Sequence, residues 1–124
     1  YERQRIEQFL TESLVLVPAG ARRIAAADPG VGEVLRRSQE LADRGLRNQV
    51  PQTRLMVSLA RQTGAIGASS FGAGWGGSVY ALVRADEAEA FAAQWLGAYR
   101  DREPSAEQAA VIVTRPGPGA CRLL

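Results

Sequence analysis

Ala65-Ile66-Gly67-Ala68-Ser69-Ser70-Phe71-Gly72-Ala73-Gly74-Trp75-Gly76-Gly77-Ser78-Val79-Tyr80-Ala81-Leu82-Val83 holds two short apolar runs joined by glycines, and the rest of the chain is arranged around it. Residues 65–71 are small and apolar and read as a strand. Residues 78–83 are apolar at nearly every position, as expected of a strand covered on both faces. The connection between them is too short for a crossover, so the two strands should be antiparallel.

Three helical patterns precede this unit. Ile6, Phe9, Leu10, Leu14 and Val17 recur at helical spacing and predict one apolar stripe. Pro18 should kink or interrupt that helix, because it lacks a backbone donor, before helix resumes through Ala27. Asp28-Pro29-Gly30 reads as a turn. A second helix is expected over residues 31–44, burying Val31, Val34, Leu35, Leu41 and Ala42, with Ser38 in the same stripe and Gly45 as its stop. Asn48-Gln49-Val50 leads into Pro51, a good first residue for a third helix that runs to Gln62, buries Leu55, Leu59 and Ala60, and ends at Gly64.

Beyond the hairpin, Asp86 and Glu89 have the spacing of a capping box for a fourth helix, which buries Ala88, Phe91, Ala92, Trp95 and Tyr99. A third strand is expected over residues 109–114. A rigid turn at Arg115-Pro116-Gly117-Pro118-Gly119 and a short strand over residues 121–124 should follow. The expected fold class is α+β: an antiparallel sheet of three or four strands with helices packed on it, ferredoxin-like, in a single domain over residues 1–124.

Composition narrows the function. The chain has 124 residues, 46% hydrophobic and 23% charged, enough for a proper core and ordinary for a soluble globular protein. All 15 basic residues are arginines, set against 13 acidic residues, and a net charge of +2 is too small to argue for nucleic acid. Glu40 with Arg44 and Asp43 with Arg47 have helical ion-pair spacing, so these charges read as a solvated face. Cys121 is the sole cysteine and histidine is absent, which removes intramolecular disulfides and the usual zinc sites and fits a cytoplasmic location. No apolar run approaches the roughly 20 residues a membrane span needs, and the charged, polar N-terminus is no signal peptide. The chain opens at Tyr1 inside a helical pattern without an initiator Met, so a fragment of a longer protein is expected.

Gly72, Gly74 and Gly77 satisfy G-x-G-x-x-G, but a dinucleotide site needs a helix after the loop, and here a β-like run follows. A Walker-type loop needs a lysine, and the chain has none. A ligand-free glycine hairpin is the simplest alternative. Four glycines within residues 72–77 nonetheless exceed what a turn requires and leave backbone amides bare, as in an anion-binding nest. Ser38, Ser69, Ser70 and Ser78 have no histidine to activate them, and Cys121 reads as a free structural thiol. Glu87 and Glu89 read as helix-start carboxylates. Trp75, an indole among glycines, either anchors the loop to its own core or meets something outside it.

The segment from Gly67 to Val79 resembles the third conserved motif of the superfamily of galactokinase, homoserine kinase, mevalonate kinase and phosphomevalonate kinase. Its galactokinase form runs roughly G-[AS]-[RK]-M-T-G-[AG]-G-F-G-G-C, which Gly67, Gly72, Gly74, Gly76 and Gly77 match. Gly32-Glu33-Val34-Leu35-Arg36-Arg37-Ser38 is similar to the family's F-G-x-L-M-x-x-S segment. Pro51 and Leu55 fall where galactokinases have P-E-L-D-x-L, and Gly119-Ala120 resembles their closing G-A. Ser69 stands in place of Arg or Lys, Phe71 of Thr, Trp75 of Phe and Ser78 of Cys, and Gln52-Thr53-Arg54 replaces E-L-D, which points to a divergent galactokinase-like branch.

The resemblance implies a C-terminal α+β domain whose glycine loop lies beside the phosphate loop of an N-terminal domain. Ser70, Gly72, Ala73, Gly74, Trp75, Gly76 and Gly77 are then the ATP-adjacent residues. It implies an ATP- and Mg²⁺-dependent kinase acting on galactose or a related sugar. The catalytic Asp, the P-x-x-x-G-L-x-S-S-A loop and the sugar-binding carboxylates would lie in that N-terminal domain, so this chain alone is expected to hold no catalytic residue, to bind no cofactor and to be inactive. Its expected partners are that domain, ATP and the sugar, with neither nucleic acid nor membrane. An uncovered apolar face beside residues 71–77 should allow self-association. A non-catalytic galactokinase-like sensor of sugar or ATP, and an independent ferredoxin-like binding module, are the alternatives.

Overall fold

A computed structural model describes residues 1–117. Strands β1 (Gly67–Ser70) and β2 (Val79–Leu82) pair antiparallel, with Gly67 opposite Leu82, Ala68 opposite Ala81, Ser69 opposite Tyr80 and Ser70 opposite Val79. Period-two alternation then sorts their side chains. Ala68, Val79 and Ala81 join the main core, while Ser69 turns to the other face.

That core is built by α4 (Pro51–Gln62) and α5 (Ala88–Arg100). Val57, Leu59 and Ala60 of α4 meet Phe91, Trp95 and Tyr99 of α5 over Ala68, and Ala106 of a 3₁₀ turn (Ala106–Gln108) closes one end. The spacing of Phe91, Trp95 and Tyr99 puts them on one helical face, and the Trp95 Nε1–H donates to the Met56 carbonyl at 2.9 Å.

The opposite face of the hairpin is covered by α3 (Val31–Leu41). A Cβ on Gly32 would lie 1.8 Å from the Ile66 carbonyl oxygen, and one on Gly67 would lie 3.0 Å from the Gly32 Cα, so helix and strand touch backbone to backbone. Over α3 lies a long N-terminal helical stretch: α1 (Glu2–Thr11), a π-helical turn (Glu12–Leu16) and α2 (Val17–Ala25).

Several expectations need correction. The first α-helix is interrupted just before Pro18, as expected, but by a π turn and not by a break. Pro18 sits at the second position of α2, directly after the π turn, and Leu16 and Val17 keep right-handed dihedrals. A π turn shifts the hydrogen-bond ladder by one residue, which accommodates the donor that proline lacks. Gly45 does not stop the second helix. It lies inside a second π turn (Ala42–Leu46), where a Cβ would come within 3.0 Å of the Gln8 Cβ, and Arg47 ends the turn in the left-handed region at φ 53°.

The fourth helix has Glu87, not Asp86, as its N-cap, and Asp86 pairs with Arg84 at 3.1 Å. Among the described residues the sheet has two strands, not three or four. Residues 109–114 pack Ala109 and Val111 against the core but, among the described residues, are not part of a strand. The strand expected over residues 121–124, with Cys121 and the Gly119-Ala120 pair, lies outside the described residues. The α+β class stands.

Candidate functional site

The turn between β1 and β2 is held at its base by the Phe71 amide, which donates to the Ser78 carbonyl at 3.0 Å. Above that base the backbone turns left-handed again and again: Gly72 has φ 61°, and Gly74, Trp75, Gly76 and Gly77 follow at 79°, 62°, 111° and 90°. Four consecutive positive φ values are a conformation only a glycine-rich segment adopts, and Trp75 is its one residue with a Cβ. Gly72 and Gly77 face open space, with nothing within 4 Å of where a Cβ would stand.

The loop is not folded into the protein's own interior. Trp75 is 69% exposed, and Phe71, also exposed, leans on the Tyr80 ring at 4.9 Å. Among the described residues, no protein acceptor takes the amides of Gly72, Ala73, Gly76 or Gly77. Successive N–H groups left free in a turn can form an anion-binding concavity suited to a group such as phosphate. Of the residues singled out in the sequence, Gly72 to Gly77 therefore share this one open loop. Ser70 lies behind it, half-buried at the end of β1, where its Oγ accepts a hydrogen bond from Gln49 Nε2 at 2.8 Å.

Behind the loop lies a buried polar network that the sequence reading missed. Gln39, Asn48, Gln49, Thr53 and Ser69 are all buried. Ser69 Oγ and the Ser70 amide both donate to Gln39 Oε1, at 2.9 and 3.0 Å. Gln39 Nε2 donates to Gln49 Oε1 at 2.9 Å, and Gln49 Nε2 also reaches Asn48 Oδ1 at 2.9 Å. Thr53 Oγ1 lies 3.0 Å from Gln49 Oε1 and accepts the Val50 amide at 3.1 Å, fixing the first turn of α4. Asn48 then grips the loop: its Nδ2 donates to the Ala73 carbonyl at 2.8 Å, and its carbonyl accepts the Trp75 amide at 2.5 Å. The one signal in the sequence was two adjacent amides, Asn48 and Gln49, placed just before a proline-led helix.

Ser69, standing where galactokinases carry a basic residue, is thus sealed behind the loop. Next to it, burial pushes the Tyr80 phenol above its ordinary range; a hydrogen bond with Ser69 opposes that shift and the nearby Glu12 charge adds to it. A separate cleft of about 290 Å³ opens at the start of β1, where Arg36, bonded to both Glu33 and Glu40, and Arg61 line it. Among the described residues no three His, Cys, Asp or Glu side chains are grouped to hold a metal, and no helix is long and apolar enough to cross a membrane.

Comparison with known proteins identifies the domain. The family described as GHMP kinases C terminal matches residues 25–101, which include α3, α4, the hairpin with its glycine loop, and α5. Galactokinase from Schizosaccharomyces pombe (strain 972 / ATCC 24843) is 33% identical over 98 residues, covering 73% of this chain. The chain spans 18% of that relative's length. It belongs to the GHMP kinase C-terminal domain family, in a galactokinase-like form.

Proposed function

We propose that this chain is the C-terminal part of an ATP-dependent, galactokinase-like sugar kinase, and that loop 72–77 lines the nucleotide site next to the phosphate loop of an N-terminal domain. The observation that carries the reading is that, among the described residues, the amides of Gly72, Ala73, Gly76 and Gly77 have no protein acceptor, with Trp75 exposed beside them. Phosphoryl transfer depends on positioning the phosphates and stabilising their charge, and bare backbone amides do both without adding a side chain to the site.

These residues fit the phosphate part of ATP. Mg²⁺ would need its ligands elsewhere, because the loop carries no carboxylate. The sugar, the base and the metal ligands are then assigned to the N-terminal domain, and this chain alone transfers no phosphate. The protein is read as cytoplasmic, and the apolar residues of α1 and α2 as the ground on which the N-terminal domain docks.

The test is a panel of sugars, galactose among them, offered with ATP and Mg²⁺ to the full-length protein and to the 124-residue chain. Sugar-dependent ADP formation is expected from the first and none from the second. Turnover by the chain alone would overturn the division of labour; none by either would overturn the kinase reading. One observation favours a second reading, a sensor that binds sugar and ATP without turnover. Ser69, at a position where galactokinases carry Arg or Lys, is buried against Gln39 and offers the site no charge. Calorimetric binding of both ligands without ADP release would select it.

A further inference from the structure

We infer that Asn48 is the positioning residue of the glycine loop: its two-sided grip holds the loop amides in the one arrangement that accepts the ATP phosphates. The inference rests on the nucleotide reading above. It starts from how little else holds the loop tip. Apart from the base pair at Phe71 and Ser78, the only bond within the loop is a long one, Gly74 amide to Phe71 carbonyl at 3.4 Å. Glycines lose the most backbone freedom on ordering, so residues 72–77 would sample many shapes if nothing else fixed them.

Asn48 supplies the missing constraint through its side-chain Nδ2 and its backbone carbonyl. It reaches across from the segment between the second π turn and α4, donating through Nδ2 to Ala73 and accepting through its carbonyl from Trp75. The residue between those two, Gly74, is pressed against it: a Cβ there would lie 2.5 Å from the Asn48 carbonyl oxygen and 2.6 Å from its Cγ. Gln49 Nε2 holds Asn48 Oδ1, which fixes the side-chain amide with its donor towards the loop.

The backbone records the same constraint. Among the described residues three non-glycines have positive φ, and two of them, Arg47 and Trp75, flank this contact. Such conformations persist only where the surroundings over-determine them, and they concentrate where a segment must be preorganised. A cradle set in advance gives up no ordering entropy when the anion arrives. The pairing also explains the residue type: a short amide has both a donor for Ala73 and an acceptor for Gln49, whereas a carboxylate would face the Ala73 carbonyl with no proton to give.

The full-length protein tests this through Asn48→Ala, the near-isosteric Asn48→Asp, Gly74→Ala and the double variant Asn48→Ala/Gly74→Ala. Each single change should raise KM for ATP about tenfold, the scale of one lost buried hydrogen bond, and leave KM for the sugar unchanged. Because Asn48→Ala and Gly74→Ala break one contact from its two sides, the double variant should be no worse than the poorer of the two. Acrylamide quenching of Trp75 should rise in all of them, with ATP or without it. Phe91→Leu, in the α4–α5 core, supplies a destabilised control whose melting temperature falls while KM for ATP holds.

Unchanged Trp75 quenching, additive KM effects, or equal rises in both KM values would overturn the role of Asn48. No ATP binding by the wild-type protein overturns the nucleotide reading, and the ligand named here with it, and is told apart by the wild-type arm alone.

Discussion

Glycine serves three different purposes in this chain, and the purposes predict different responses to one added methyl. Gly32 is required by contact, since its Cβ would stand 1.8 Å from a backbone oxygen of the neighbouring strand, where nothing flexible can give way. Gly32→Ala should therefore lower stability by about 3 kcal/mol or more, a value in the tail of single substitutions, as overpacking against backbone forces α3 off β1. Gly72 is required by conformation alone, at φ 61° with empty space around it. Gly97 is required by neither: it is exposed in the C-terminal part of α5, with nothing within 4 Å. Gly97→Ala should raise stability by about 0.5–1 kcal/mol, because alanine is the better helix former and narrows the unfolded ensemble. Urea unfolding of the two variants decides the matter; a harmless Gly32→Ala would mean that α3 does not lie where it is described. The spacing of the glycines in the loop was legible in the sequence. The role of Gly32 in particular was not, because a helix-surface glycine shows its purpose only when the partner strand is in place.

At the scale of elements, periodicity reported faithfully that a face is apolar and said nothing about what covers it. α3, α4, α5 and the hairpin fell close to their expected ranges because 3.6-residue and 2-residue patterns follow directly from backbone geometry. The stripe of Ile6, Phe9, Leu10, Leu14 and Val17 is real as a pattern, yet all five side chains are exposed, and in this helical stretch Leu16 alone is buried. The polar network was invisible for the converse reason. Gln39, Asn48, Gln49 and Thr53 are types that a pattern reading assigns to solvent, and their burial depends on finding one another across three elements. The exposed stripe has a direct consequence. Purified as 124 residues, the chain should self-associate, since contiguous apolar surface of this kind is rarely left bare by a stable monomer. Phe9→Glu with Leu14→Glu, at positions 64% and 70% exposed, should shift it to monomer in light scattering without lowering its melting temperature. Leu16→Glu, one turn away but buried, should unfold it. A wild-type chain that stays monomeric at high concentration would count against the stripe as a docking surface.

Over the whole molecule, the network and the ionisable groups set how stability responds to chemistry rather than to packing. Gln49 joins α3, α4, β1 and Asn48 through a single amide, so Gln49→Ala leaves several buried polar groups short of a partner at once and should cost about 1–3 kcal/mol. The pH response follows from composition. With neither histidine nor lysine, the chain lacks, apart from the single cysteine, the side-chain types whose ordinary values lie between those of the carboxylates and the tyrosines. Stability should therefore run nearly flat from about pH 5 to 9. On the acid side, the Asp86 and Glu103 carboxyls are held below their ordinary range, Asp86 chiefly by its bond to Arg84 and Glu103 by its bonds to Ser105. The fold therefore favours their charged forms, and that contribution is present above their ordinary values and lost as pH falls through the depressed ones. It is small, because both groups are exposed. On the alkaline side the sign reverses. Burial raises the Tyr80 and Tyr99 phenols, so the fold favours their neutral forms. Stability is complete below the ordinary phenol value near 10 and declines as pH climbs from there towards the raised ones. Arginine, charged throughout, contributes nothing to that decline. Urea unfolding of the chain from pH 4 to 11 should trace a plateau with a falling alkaline edge, and Tyr80→Phe should make that edge shallower. A slope through pH 6 to 7 would mean that ionisable groups other than these two carboxyls and two phenols are coupled to folding.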